Sequence, residues 1–337
     1  MLSVCVGCVQ LIKIYSIYSE VIMSMYKKCI CLIALVFLLG VTSSASAVAW
    51  NKGPYLIYPG DNTQMTVLWQ LDVTNACTLD WGLTTSYGMG SVGTTEYNTG
   101  TDGHQHKSTI TGLTPGTKYF YRVTAGTLQG LGSFRSAPAA TATKVKFFMY
   151  GDTRNNPGTQ DTVNARMIAK YTADPNYQSI TLFSGDGPDY GTTETGWTRD
   201  WFNQTMPNMV AFKANVPFAF AQGNHEIQVG TPNGGDLYGK YYPYVLVGSH
   251  YFSFDYGPAH ILILDQYGPG YNGSMSAAQV AWVAADLAAT SKDWKFLVFH
   301  APGWTGSSRT NSQIRTDIQP LCVTYNVAIC FASHEHF

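Results

Sequence analysis

The sequence predicts an α/β protein preceded by a β-sandwich, and three observations predict it. Apolar runs of strand length alternate with helical periodicity through the second half of the chain. Short strands separated by turn residues fill residues 50–138. The length of 337 residues, with 45% hydrophobic and 12% charged residues, suits two sizeable cores and excludes a disordered chain.

The apolar runs come first because each stops on residue types that ligate metals. VKFFMYGD ends at Asp152, SITLFSGD at Asp186, FAFAQGNHE on Asn224 and His225, WKFLVFH at His300, and VAICFASHEH on His334 and His336. In open α/β sheets the ligand site lies beyond the carboxyl ends of the strands, so these stops converge in space although far apart in sequence. Paired divalent cations held about 3.5–4 Å apart need a bridging carboxylate with oxygen and imidazole donors on either side. Asp186 is the natural bridge, with Asp152 on one side and the neutral oxygen of Asn224 on the other. Gly-Asn-His-Glu at 223–226 is the sharpest of these motifs, and His-x-His at 334–336 is the next.

The strands of the first region are QMTVLWQL, CTLDWG, HKSTITGL, KYFYRVTA and LGSFRSA. LTPGTKYFYRV feeds an aromatic-rich strand from a Pro-Gly turn and sets Tyr119 or Tyr121 where a tyrosine corner would sit, so the region, 48–140, resembles a fibronectin type III-like domain. The Ala/Thr-rich linker at 137–144 then predicts a separate α/β domain over 144–337. Its helices are DTVNARMIAKYTA and SAAQVAWVAADLAAT, the second with Ser276 and Gln279 at capping-box spacing and Trp282, Val283 and Leu287 facing the core.

Residues 1–47 read as an upstream extension and a secretory signal: Lys27 and Lys28, an apolar run from Cys29 to Val41, and Ala45-Ser46-Ala47 as the cleavage site. The expected location is secreted, periplasmic or extracellular, with no stable membrane span in the mature form. The mature chain keeps Cys77, Cys322 and Cys330, which allow at most one bridge and carry no thiol-enzyme or zinc-finger spacing. A net charge of −1 and a pI near 6.7 give no field for a nucleic-acid backbone. The chain stops at Phe337 straight after its last candidate ligand, and reads as truncated there.

In the order Gly-Asp, Gly-Asp, Gly-Asn-His-Glu, His, His-x-His, the chain resembles the calcineurin-like metallophosphoesterase superfamily, and the preceding sandwich makes it similar to the purple acid phosphatase branch. The resemblance implies a four-layered α/β/β/α domain. It implies one metal held by Asp152, Asp186 and His336, and a second held by Asp186, Asn224, His300 and His334. His225 would contact phosphoryl oxygens or protonate the leaving group, with Glu226 orienting it. The implied reaction is hydrolysis of a small phosphate ester by attack of a metal-bound hydroxide. A phosphomonoesterase is expected first, with a phosphodiesterase or a non-catalytic surface-binding protein as alternatives.

Three departures stand out. Arg154 occupies the place of the Asp-x-His histidine, where a guanidinium cannot ligate a metal but can clamp a phosphate. Three residues after the bridging aspartate, where purple enzymes carry tyrosine, stands Asp189; Tyr190 follows and is the candidate ligand, with Asp189, Gln160 or water as substitutes. Ser333 replaces the glycine before His-x-His. The metal pair is left open between iron with zinc or manganese and a zinc or manganese pair. His104 and His106 read as surface-loop histidines without a role, while Trp197, Trp201, Tyr241, Tyr242 and Trp304 are candidates to line a substrate cleft.

Overall fold

The strands form where β-branched and aromatic residues alternate, and both faces of the central ones are buried. A computed structural model describes residues 18–28, 47–97, 103–227, 236–268, 273–306 and 310–336. Lys27 and Lys28 fall in a helical stretch, whereas the apolar run from Cys29 to Val41, Ala45 and Ser46 lie outside the described residues. Residues 48–337 form one compact unit. No helix among the described residues is long and apolar enough to cross a membrane.

Strands β1 (Trp50–Ile57), β2 (Met65–Leu71), β3 (Cys77–Gly82), β4 (Gly90–Thr94), β5 (Gln105–Ile110), β6 (Lys118–Ala125) and β7 (Leu128–Arg135) build the first region. One sheet runs β4-β3-β6-β7. The other begins β5-β2-β1 and continues into β10 (Phe218–Phe220), β9 (Ile180–Phe183) and β8 (Phe147–Tyr150), making a six-stranded sheet. β1 meets β10 in parallel at Ile57 and Phe218. The two regions thus share one sheet across the 137–144 linker. The reason is that β1 is apolar on both faces, sending Leu56 into the sandwich core and Tyr55 and Ile57 into the core of the second region. Tyr119, not Tyr121, makes the corner, its hydroxyl accepting from Thr114 N–H at 2.9 Å, while the Tyr121 hydroxyl donates to the Ala214 carbonyl at 2.8 Å.

The second region is layered as expected. β11 (Phe252–Tyr256), β12 (Ala259–Ile263), β13 (Trp294–Val298) and β14 (Ile329–Phe331) form a second sheet in that order, with β12, β13 and β14 parallel. Alternation along these strands builds two cores. Ile261, Ile263, Phe296 and Val298 face the six-stranded sheet, and Phe147 meets Phe296 with ring centroids 5.4 Å apart. Leu262, Leu264, Leu297 and Phe299 face the opposite way. On the outer side of the first sheet, helices α1 (Pro157–Ala173) and α2 (Pro207–Asn215) pack, with Phe212 against Phe148 at 5.5 Å. On the outer side of the second lies α3 (Ala277–Ala289), burying Val283 and Leu287, while Trp282 is only partly buried. Ser276 caps α3 by accepting from Gln279 N–H at 3.0 Å. The Gln279 side chain does not close the box; it bonds Asp265 N–H and C=O at 2.8 and 2.7 Å, pinning the end of β12.

The aromatic cleft is also corrected. Trp197, Trp201, Tyr241 and Tyr242 are fully buried core, and only Trp304 is exposed, at 58%. Packing won because the loops after β9 and β10 fold back over the sheet, placing Trp201 4.6 Å from Phe183 and Tyr242 4.7 Å from Phe220. His106 is not a surface-loop residue: it sits buried on β5, stacked on Trp69 at 5.2 Å. His104 pairs with Glu96 at 3.0 Å.

Candidate metal centre

Each strand that sequence patterning singled out does end at one place. β8 delivers Asp152, β9 Asp186, β10 Asn224 and His225, β13 His300, and β14 His334 and His336. Asp152, Asp186 and His334 adopt φ of 54°, 58° and 70°, and Arg154 a φ of 33°, the left-handed region that side chains other than glycine seldom enter. Each such residue costs about 1–3 kcal/mol and persists where the surroundings demand it, typically at a functional site. The glycines before the ligands allow the crowding. A Cβ on Gly185, itself at φ 96°, would lie 2.8 Å from both Gly223 N and His300 Nδ1, and one on Gly223 would lie 2.3 Å from Asp186 Oδ1.

Three donors gather around His300. Its Nε2 lies 3.1 Å from Asn224 Oδ1, 3.3 Å from Asp186 Oδ2 and 3.1 Å from His334 Nδ1. Ligand atoms of Asp186, His300 and His334 all fall within 4.8 Å of one another. Two imidazole nitrogens facing one another beside a carboxylate and an amide oxygen are a donor set for a borderline divalent cation. On the other side, His336 Nε2 lies 3.2 Å from Asp152 Oδ1, and His334 N–H donates to Asp152 Oδ2 at 2.5 Å. The six residues expected as ligands apart from Tyr190 are therefore neighbours, and the residues fit a metal pair.

The electrostatics are those of a site built to hold positive charge. Burial pushes the Asp186 carboxyl up, but His300 beside it and hydrogen bonds from His300 and His225 outweigh that and hold it at about 2. Burial pushes His300 down, yet Asp186, followed by Asp152, draws it up to about 9. A cation held by these donors would need His300 neutral at Nε2, so its binding would release protons.

The surrounding shell differs from expectation at two points. Glu226 does not orient His225. Its carboxylate instead accepts backbone N–H groups of Asp186, Gly187 and Gly223 at 3.0, 2.8 and 2.6 Å, stapling the turns after β9 and β10 together. Burial first, then the Asp186 charge, raises it to about 8 against those three donors. The residue that orients His225 is Asp189, whose carbonyl lies 2.8 Å from Nδ1 and whose carboxylate lies 3.3 Å from it. Arg154 Nη1 is 2.5 Å from His225 Nε2, and Arg154 Nε is 3.9 Å from Asp189. A guanidinium only donates and a carbonyl only accepts, so His225 is the neutral Nδ1–H tautomer. The Tyr190 ring is 48% exposed and lies 5.7 Å from the Arg199 guanidinium. Gln160 is buried on α1.

Several contributing residues escaped the sequence reading. His300 Nδ1 donates to the Ser184 carbonyl at 2.8 Å, fixing Nε2 toward the cluster, and Ser333 donates to the same carbonyl at 2.9 Å. Gln266 Oε1 accepts from His300 N–H and Ala301 N–H at 3.0 and 2.7 Å. Tyr267 stands edge-on to His300 at 5.7 Å, its hydroxyl pushed well up by burial and by the charges of Asp186 and Asp152. The signal was present: AHILILDQY is one more apolar strand stopping on polar residues.

This fold and donor set define a phosphoesterase-type α/β/β/α centre, and comparison with known proteins agrees. Residues 147–337 match the model of the calcineurin-like phosphoesterases, and residues 51–137 that of the purple acid phosphatase N-terminal domain. The chain belongs to the calcineurin-like phosphoesterase family. It is 26% identical over 269 residues to purple acid phosphatase 15 of Arabidopsis thaliana, covering 70% of this chain and 49% of that one. It is 25% identical over 350 residues to acid phosphatase type 7 of Homo sapiens, covering 92% and 75%. A purple acid phosphatase structure from yellow lupin seeds superposes with a TM-score of 0.67 at 18% identity, over 84% of this chain and 58% of that one. The chain spans about half the length of the Arabidopsis relatives it matches, 49%, 57% and 52% of the first three. Family membership implies a dinuclear metal centre.

Proposed function

We propose that this chain is a secreted, dinuclear-metal phosphoesterase acting as an acid-phosphatase-like phosphomonoesterase. The observation that carries the reading is the convergence of Asp186 Oδ2, Asn224 Oδ1 and His334 Nδ1 around His300 Nε2 at 3.3, 3.1 and 3.1 Å. Asp186, Asn224, His300 and His334 would hold one cation, and Asp152, Asp186 and His336 the other. When bound, the pair neutralises phosphoryl oxygens and acidifies water, so no serine or cysteine nucleophile is required. Iron with zinc or manganese, or zinc and manganese alone, suit these donors, and Tyr190 is the residue whose participation would mark ferric iron.

The chain's own groups do the rest. Arg154 presents a forked donor to an anionic phosphate ester. Engaging it draws Nη1 away from His225, so that Nε2 can take a proton from solvent and pass it to the departing alkoxide. Asp189 holds the ring in place through Nδ1 meanwhile. Secretion is supported by Lys27 and Lys28 preceding the apolar run from Cys29 to Val41 and the small residues Ala45 to Ala47.

The test compares hydrolysis of p-nitrophenyl phosphate and bis(p-nitrophenyl) phosphate before and after chelator dialysis. Faster monoester cleavage, lost on dialysis and restored by Zn²⁺ or Mn²⁺, is expected. Preference for the diester would move the assignment to a phosphodiesterase, and no hydrolysis by metal-loaded protein would refute an enzyme.

A further inference from the structure

Cys322 and Cys330 approach within 3.6 Å, sulfur to sulfur, at the segment that supplies the last metal ligands. Cys322 lies on α4 (Gln319–Thr324) and Cys330 at the middle of β14. The strand β14 is three residues long and, among the described residues, pairs with β13 at the edge of its sheet. Ile329 is 47% exposed and Cys330 is exposed, while Phe331 packs inward against Phe147 and Phe296. Yet this strand must position His334 and His336, four and six residues beyond Cys330. Cys322, by contrast, packs with Leu321 and Tyr325 against the core of Leu262, Leu297 and Phe299. A bond between the two would fasten the strand to the helix that precedes it.

We propose that Cys322 and Cys330 form a redox-active pair whose disulfide clamps β14 and so stabilises the placement of His334 and His336. The clamp rests on the reading of those histidines as metal ligands. The chemistry is exchange with a low-molecular-weight disulfide. The Cys322 thiolate attacks one sulfur of glutathione disulfide, forming a mixed disulfide and releasing one glutathione thiolate. Cys330 then loses its proton to solvent and attacks the Cys322 sulfur, forming the intramolecular bond and releasing the second glutathione. Two electrons pass from the cysteine pair to glutathione. Cys322 attacks first because the neighbouring Cys330 thiol lowers its pKa, making it the better thiolate. Cys77 is buried in the sandwich core and takes no part.

The full chain is equilibrated with glutathione buffers of stepped potential, quenched, alkylated and mapped by peptide mass spectrometry. Amide exchange over 328–333 and Zn²⁺ transfer to a chromophoric chelator are then measured on the oxidised and reduced forms. A Cys322–Cys330 disulfide, slower exchange along β14 and Zn²⁺ release slowed about tenfold are expected, and the double variant Cys322→Ser/Cys330→Ser should behave as the reduced form at every potential. A pair that stays as thiols or stops at the mixed disulfide overturns the proposal, as does equal exchange and equal Zn²⁺ release in both forms. Redox-dependent release that persists in the double variant overturns it too. If neither form takes up Zn²⁺, the metal-centre reading fails, and the exchange data decide the clamp independently.

Discussion

Arg154 Nη1 and His225 Nε2 are 2.5 Å apart, so the imidazole nitrogen that would face a leaving group is capped by a permanent cation. The pairing leaves Nε2 as an acceptor and ties two residues that follow different strands, β8 and β10, into one anion-receiving unit.

Replacing Arg154 with alanine should lower kcat/KM for a phosphate monoester by about 10- to 100-fold, the loss of a charge-assisted hydrogen bond. Lysine should recover only part of it, since it lacks the fork. Steady-state kinetics on metal-loaded protein reads this out, and an unchanged kcat/KM would reduce Arg154 to a partner of Asp189.

Glu226→Ala should destabilise the protein by about 3 kcal/mol or more, because three buried backbone donors lose their acceptor. Glu226→Gln retains one oxygen and should cost less. Urea denaturation of metal-free protein gives both values. A loss below about 0.5 kcal/mol for alanine would mean that those turns are held by other contacts.

Tyr190→Phe should leave metal content and the visible spectrum unchanged, since the ring already packs on Arg199. A purple band in the parent that vanishes in the variant would instead place the phenolate on ferric iron.

The histidine bridging β12 and α3 makes a pH prediction remote from the metals. Burial lowers the His260 pKa, but Asp286 and Asp255, bonded at 2.7 and 2.8 Å, outweigh burial and hold it above its ordinary value. A folded value above the unfolded one, about 6.5, contributes stability fully below that pH and loses it as pH rises through the folded value. His260→Gln should therefore lower Tm by about 2–4 °C near pH 5.5, with the gap closing as pH rises through the folded value. A gap that widens with pH would contradict the charged bridge.

The strand ends were legible because the chemistry sits on local pattern: an apolar run, then Asp152, Asp186, Asn224, His300 or His334. The layering followed from alternation, as Leu262 and Ile263 facing opposite cores illustrate. What sequence could not give was side-chain direction within a loop. Glu226 was assigned to its neighbour His225, but in the structure it serves backbone groups of Asp186 and Gly187, residues some forty positions away. Trp201 and Tyr242 were placed in a cleft because they follow ligand strands, and the fold used their area for burial. β1 carried no motif, and its pairing with β10 is a long-range choice made by an open sheet edge.

The most direct test of the metal centre is elemental analysis of the chain purified without chelator, set beside Asp186→Asn prepared identically. The account predicts about two metal ions per parent chain and a loss of at least one of them in the variant, because Asp186 is proposed to bridge the pair. Equal metal content in the two proteins, or none in the parent after reconstitution with Zn²⁺ and Mn²⁺, would contradict it.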